Sequence, residues 1–259
     1  MRIVLVHGAA TTSRVWRSVI PALQERSAQR GEQHEVLAVT RPQTGRLSEE
    51  LDALRSVSAG AFLVGVSGGA TLGWALLSEQ LRDELCEPQP ETQPETQREA
   101  RPEASRRQAP VGALLHEPAA GSLAPGLLEH VRQGLQAHGV QGFGEALYGR
   151  GWSASETEIS EDALRREFAM FGAFEPAPLP EHVRPAVLLT VGSTSPPTRH
   201  ASVRALAKLS MGVRSAVLPC AHAAHLQAPE ALAELVLDHV ALAGDLSRRS
   251  GALCRPVRP

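Results

Sequence analysis

The pentapeptide Gly65-Val66-Ser67-Gly68-Gly69 places a serine between glycines two residues before and two residues after it. A run of valine and leucine, 62–66, leads into it, and a segment with apolar residues at helical spacing, 69–85, follows. A serine on such a strand-to-helix turn takes strained backbone angles, and the flanking glycines remove side chains that would collide there. The turn lifts the hydroxyl clear of the sheet and sets it at a helix N-terminus, where N–H groups and the helix dipole favour developing negative charge. That is where an acyl-transfer nucleophile must stand. A glycine-rich turn of purely structural use is the alternative reading.

A serine hydroxyl is a poor nucleophile until a base accepts its proton. Of ten histidines, His222 and His225 lie between the last strand-like run and the last helix pattern, at the sheet edge where Ser67 also belongs. His222 is nearer the strand end and is the preferred base, with His225 in reserve. The first strand-like run ends in His7-Gly8-Ala9. A glycine-bearing loop there can turn the Ala9 N–H toward a substrate oxygen, and with the Gly68 N–H it would form a two-donor oxyanion hole. His7 itself reads as structural. The remaining histidines, including His116, His130, His138 and His200, show no metal-binding spacing, and Asp52, Asp162, Glu175 and Asp238 form no pair. No metal and no cofactor are expected.

The elements that must position these residues follow from periodicity. Apolar runs at 3–6, 35–39, 62–66, 111–115, 187–191 and 216–218 are continuous rather than alternating, which indicates strands covered on both faces. Helical spacing recurs at 16–28, 47–57, 69–85, 201–209 and 229–242. The alternation predicts an α/β fold, doubly wound, with a mainly parallel sheet of about six strands. The core is expected over 1–118 and 181–259. Residues 87–110, rich in proline, glutamine and mixed charge, carry no apolar residue larger than alanine and read as a disordered insertion. Residues 119–180 lack strand runs yet hold six of the nine aromatic residues, among them Phe143, Tyr148, Trp152, Phe168, Phe171 and Phe174. They read as a helical lid, with the first five of these aromatics as candidate substrate contacts; a small core within the excursion is the alternative.

Composition narrows the partners. Lys plus Arg number 26 against 28 Asp plus Glu, so no net field draws nucleic acid or an anionic membrane, and a small-molecule partner fits better. Three cysteines, Cys86, Cys220 and Cys254, suggest neither a disulfide framework nor a zinc site and suit a reducing cytoplasm. The first apolar run is too short for a signal peptide, and the longest is broken by Ser67 and glycines, so no membrane span is expected. No heptad or long apolar edge demands an oligomer.

The stretches VLVHGAATTSRVW (4–16), VGVSGG (64–69) and LPCAHAAHLQAPE (218–230) resemble, in order and spacing, the α/β-hydrolase superfamily of the alpha/beta-hydrolase-1 type. The resemblance implies that His222 is the triad base, although Ala221 replaces the usual glycine, and that the chain starts at the family's third strand without the first antiparallel hairpin. In most relatives the acid follows the penultimate strand, but here 192–197 read Gly-Ser-Thr-Ser-Pro-Pro. Some relatives place it after the preceding strand, which makes Glu117 the candidate orienter of His222; a surface carboxylate, and hence a Ser–His dyad, is the alternative. The resemblance further implies a serine hydrolase acting through an acyl-enzyme on an ester, lactone or thioester of a small hydrophobic substrate. Acyl transfer or cyclisation by the same residues, and a non-catalytic ligand-binding protein on the same fold, are the rivals. A serine at the elbow argues against epoxide hydrolase and haloalkane dehalogenase chemistry.

Overall fold

Six strands, β1 (Arg2–Val6), β2 (Glu35–Val39), β3 (Phe62–Val66), β4 (Gly112–His116), β5 (Ala186–Gly192) and β6 (Arg214–Leu218), pair in the order β2-β1-β3-β4-β5-β6, every neighbouring pair parallel. They come from a computed structural model that describes residues 1–86, 109–154, 157–180 and 186–253. The motifs singled out above thus lie on described chain, whereas most of the 87–110 insertion and Cys254 lie outside the described residues.

Side chains leave a strand alternately on either face, so each strand feeds two cores. Val4 and Val6 of β1, Leu63 of β3, Leu115 of β4 and Leu189 of β5 join one cluster, with Leu51 and Leu54 of α2 (Leu47–Ser58), Leu72 and Leu76 of α3 (Gly68–Cys86) and Val203 of α6 (Pro197–Leu209). Ile3, Leu5, Phe62, Val64, Leu114 and Leu188 join the other, with Leu23 of α1 (Val19–Gln29) and Leu232 and Val236 of α8 (Pro229–Leu253). The inner strands β3, β4 and β5 are buried along their whole length. The edge strands β2 and β6 are not: Val217 of β6 is 61% exposed, so the apolar run there marks an edge and not a doubly covered strand.

Several boundaries differ from the periodicity. The 16–28 pattern divides into a 3₁₀ turn (Ser13–Arg17), whose start the Thr12 hydroxyl caps, and α1. Helix α6 begins at Pro197, a residue suited to a first helical turn, four residues before the expected start. A short helix, α7 (Ala224–Gln227), fills the loop expected before α8. Residues 121–172 hold a 3₁₀ turn (Gly121–Leu123), α4 (Glu129–Tyr148), broken by non-helical angles at His138 and Gly139, and α5 (Glu161–Gly172).

The chain runs from β1 outward to β2 and returns to β3 on the far side of β1, so strand order reverses between β1 and β3. In open parallel sheets the crevice at such a reversal is where ligands bind. The loops after β1 and β3 carry Gly8-Ala9 and Ser67. Elsewhere, the Val111 N–H donates to Ala61 O and the Gly60 N–H to Ala109 O, so the chain re-enters β4 at the amino-terminal edge, opposite the site.

Close packing of α3 on the sheet depends on glycine. A Cβ at Gly65 would fall 2.6 Å from Gly69 O and 2.7 Å from Ala70 Cα, both main-chain atoms that cannot swing away. Gly65→Ala should therefore cost about 1–3 kcal/mol, read as a lowered urea midpoint with unchanged m. Gly172→Ala, whose Cβ would meet nothing within 4 Å, should leave the midpoint within error.

Candidate active site

Only four described non-glycine residues have positive φ, and two of them are Ser67 (54°) and Glu117 (51°). Strained backbone of this kind persists only where surrounding structure imposes it, and it gathers at functional sites. At Ser67 the constraint is visible: its N–H donates to His116 O at 2.8 Å, and its carbonyl accepts from the Thr71 N–H at 3.0 Å and the Thr71 hydroxyl at 3.1 Å. The Glu117 N–H in turn donates to Thr190 O at 2.9 Å. Adjacent strand ends thus hold both residues at one rim.

Glu117 is fully buried. Its Oε2 accepts from His222 Nδ1 at 2.7 Å, and its Oε1 accepts from the Gly192 N–H at 2.9 Å and from the Ser195 hydroxyl. Burial opposes ionisation, but the hydrogen bond from His222 and the positive field of His222, His116 and Arg199 outweigh it, and the carboxyl titrates well below the usual range. Ser195, from the segment in which no acid was found, here supplies a donor to the acid that follows β4.

With Nδ1 donating to Glu117, His222 presents Nε2 as its lone-pair nitrogen, and that atom is buried without a hydrogen-bond partner. Burial, and next the charge of Arg199, lower the imidazole pKa from 6.5 to about 4 against the pull of Glu117. The resting ring is neutral and able to accept a proton. No hydrogen bond joins it to Ser67, as is common before a substrate is bound. Tyr148 lies beside both: its ring centroid is 6.2 Å from that of His222, and its hydroxyl and the Ser67 Cβ both border the space beside Gly8, 3.5 and 3.1 Å from where a Cβ there would sit. His225, in α7, packs against Trp16 at 5.7 Å, and burial lowers its pKa to about 3.

The loop after β1 is held by a buried arginine. The Arg41 N–H donates to His7 Nε2 at 3.0 Å, which leaves the proton of the neutral ring on Nδ1, donating to Gly8 O at 2.8 Å. Burial, then Arg41, depress the His7 pKa to about 3, in keeping with a structural role. Gly8 O also accepts from the Thr11 hydroxyl at 3.0 Å and Arg41 Nη2 at 3.1 Å. A trans peptide points its N–H opposite to its carbonyl, so three donors on Gly8 O turn the Ala9 N–H away from them. It turns beside the elbow: Ala9 N is 3.3 Å from where a Gly68 Cβ would sit. Gly68 opens α3, so its N–H is among those with no acceptor inside the helix.

A narrow pocket is lined by Ala9, Ser67, Gly68 and Glu117 and, from α4 and α5, by Phe143, Leu147, Phe168 and Phe171; His222 is held by Glu117 and is not itself part of that lining. Phe171 sits on the elbow, where a Cβ at Gly68 would come 2.6 Å from its ring. Tyr148 and Trp152 stand outside this lining. The Tyr148 hydroxyl donates to Ala9 O at 3.0 Å, its ring stacks on Trp152 at 6.1 Å, and Trp152 packs on Gly144. Phe174 is part of the core beneath. Two polar lining residues escaped the sequence reading, Thr71 and Arg199. Thr71 lies one helical turn past Ser67. Arg199 lies in the first turn of α6, where the helix dipole disfavours a cation, and that misfit was the available signal.

Among the described residues no three His, Cys, Asp or Glu side chains cluster as metal ligands, and no helix is long and apolar enough to cross a membrane. Cys220 is buried and unpaired.

The model of the alpha/beta hydrolase family matches residues 3–235, and the chain belongs to that family. Solved structures share its fold at low identity. An esterase (EaEST) from Exiguobacterium antarcticum superposes with a TM-score of 0.63 at 13% identity, over 93% of this chain and 91% of that one. The enol-lactonase from Burkholderia xenovorans LB400 gives 0.58 at 15% over 93% and 91%, and a thioesterase domain from the curacin biosynthetic pathway gives 0.51 at 17% over 91% and 90%. None of the curated proteins compared with the chain matches it. Family membership supports hydrolase activity on a small molecule.

The electrostatics of the pair can be read directly. Because the folded-state pKa of His222 is depressed, the ring should stay neutral as pH falls through 6.5 and protonate only near 4. Histidine-selective NMR titration should show Nδ1 protonated throughout that window. A midpoint at 6.5 or above would mean that Glu117 overrides burial.

Proposed function

We propose that this chain is a serine hydrolase of the carboxylic-ester type, acting on an ester, lactone or thioester of a small hydrophobic acid. Ser67 attacks the carbonyl carbon, and His222 Nε2 takes the hydroxyl proton. The Ala9 and Gly68 N–H groups receive the oxyanion. As the tetrahedral adduct collapses, His222 returns the proton to the leaving group, leaving an acyl-Ser67 that water, activated by the same ring, hydrolyses. Glu117 fixes the tautomer and stabilises the imidazolium without itself taking the proton. Residues 119–180 act as the lid, with Phe143, Phe168 and Phe171 excluding water from the acyl chain. Tyr148 acts through Ala9, and Trp152 through Tyr148. A reducing cytoplasm suits the unpaired Cys220.

The observation that carries this reading is the 2.7 Å bond between His222 Nδ1 and a buried, ionised Glu117 on the rim that also bears Ser67. A binding protein would have no use for a desolvated carboxylate whose effect is to leave one imidazole nitrogen unprotonated and open. Phe171 on the elbow and the apolar lining favour small acyl groups over peptides.

A fluorophosphonate probe should add one phosphonyl group to the wild type by intact mass and none to Ser67→Ala. Ser67→Ala should also lose at least ~10³-fold in kcat toward p-nitrophenyl butyrate. Labelling that survives in Ser67→Ala, or no labelling of the wild type, contradicts the proposal, the second outcome favouring a ligand-binding protein. Glu117→Gln should lower kcat by roughly 10²–10⁴-fold with little change in KM, and unchanged kinetics would assign the chemistry to a Ser–His dyad.

A further inference from the structure

Two arginines are buried near the site, and they are treated differently. Arg41 has Glu50, Glu167 and two main-chain carbonyls as acceptors. Arg199, 3% exposed, has none within hydrogen-bond distance among the described residues; its one close approach is Nε to Glu117 Oε2 at 3.6 Å. That oxygen already accepts from His222, and Oε1 is filled by the Gly192 N–H and the Ser195 hydroxyl. At 3.6 Å Glu117 supplies Arg199 with countercharge and no hydrogen bond, and the donors on Nη1 and Nη2 are left over.

A buried guanidinium without acceptors is costly to maintain. Burial is severe enough to lower the Arg199 pKa against the pull of Glu117 and Tyr148. This cation lines the same pocket as Ser67; the other polar side chains there are Thr71 and Glu117, the latter already engaged by His222, the Gly192 N–H and Ser195, and the rest of the wall is apolar, Phe143, Phe168 and Phe171 among it. A pocket of that composition matches a molecule with an apolar body and one anionic group. The planar fork of a guanidinium pairs best with a carboxylate, by two parallel N–H···O bonds.

We propose that Arg199 is a substrate-recognition residue that binds a carboxylate lying a few bonds from the scissile carbonyl, so that the preferred substrates are monoesters, lactones or thioesters of short diacids. The inference rests on Ser67 being the nucleophile of this pocket. It restricts the substrate class from neutral acyl compounds to acidic ones.

The test compares mono-p-nitrophenyl glutarate with p-nitrophenyl butyrate, which differ chiefly by the carboxylate. The wild type should favour the acid by ~10-fold or more in kcat/KM. Arg199→Gln should reduce that ratio to about one or below, and Arg199→Lys should restore part of it. If Arg199 serves only to steady Glu117, kcat falls equally on both esters and the ratio does not move, which overturns the proposal. A wild-type ratio near one overturns it as well. Binding decides the matter without turnover: by calorimetry, Ser67→Ala should bind methyl hydrogen glutarate at least ~10-fold more tightly than dimethyl glutarate, and Ser67→Ala with Arg199→Gln should not discriminate. Discrimination in binding by a protein that no fluorophosphonate labels would sustain the carboxylate subsite and reject the hydrolase. Labelling without discrimination would do the reverse.

Discussion

The fully buried Arg41 guanidinium is the constraint from which the site geometry follows. It joins Glu50 of α2, Glu167 of α5, and the His7 and Gly8 carbonyls after β1. By holding Gly8 O it orients the Ala9 peptide. By holding Glu167 it fixes the face of α5 that carries Phe171 one helical turn later, and its own carbon lies 5.9 Å from the centre of that ring. One charge cluster therefore sets both an oxyanion donor and the aromatic roof above Gly68. Breaking a buried pair of this kind leaves an uncompensated charge at a cost of roughly 3–5 kcal/mol, so the loop, the sheet edge and the 119–180 segment are coupled energetically as well as in space.

In the same pocket the same economy operates with the sign reversed. Glu117 is the buried anion, and its acceptor capacity is distributed over His222, the Gly192 N–H and Ser195. The strained φ of Ser67 and Glu117 is tolerated because each N–H is clamped to the neighbouring strand's end, Ser67 to His116 and Glu117 to Thr190. The site is thus a property of the parallel sheet: β3, β4 and β5 end in register, and each delivers one component to the same edge.

Much of this was legible in the residues. Buried strands announce themselves as unbroken apolar runs, and the Gly65–Gly69 signature reflects main-chain contact that admits no Cβ. Local pattern sufficed for Ser67, because its neighbours in sequence create its geometry. Arg41, Arg199 and Ser195 were opaque, since their roles arise from partners far along the chain: Glu167 is 126 residues from Arg41 and Ser195 is 78 from Glu117. A charged residue reads as solvent-facing until its burial is known. The aromatic cluster was legible as a group and ambiguous by member, because composition cannot tell Phe171, over the elbow, from Trp152, behind Tyr148. The edge strands misled for a related reason, as Val217 has the composition of an inner strand and faces water.

Helix α3 leaves the elbow and ends at Cys86 on the amino-terminal side of the sheet, and hydrogen bonds from residues 60–61 to 109–111 mark the return on that same side. The chain between these points starts and finishes a full strand length from Ser67. Both described ends of that stretch, Cys86 and Ala109, thus stand at the end of the sheet remote from the chemistry, and the rim that bears Ser67 is shaped by the loops that follow the strands.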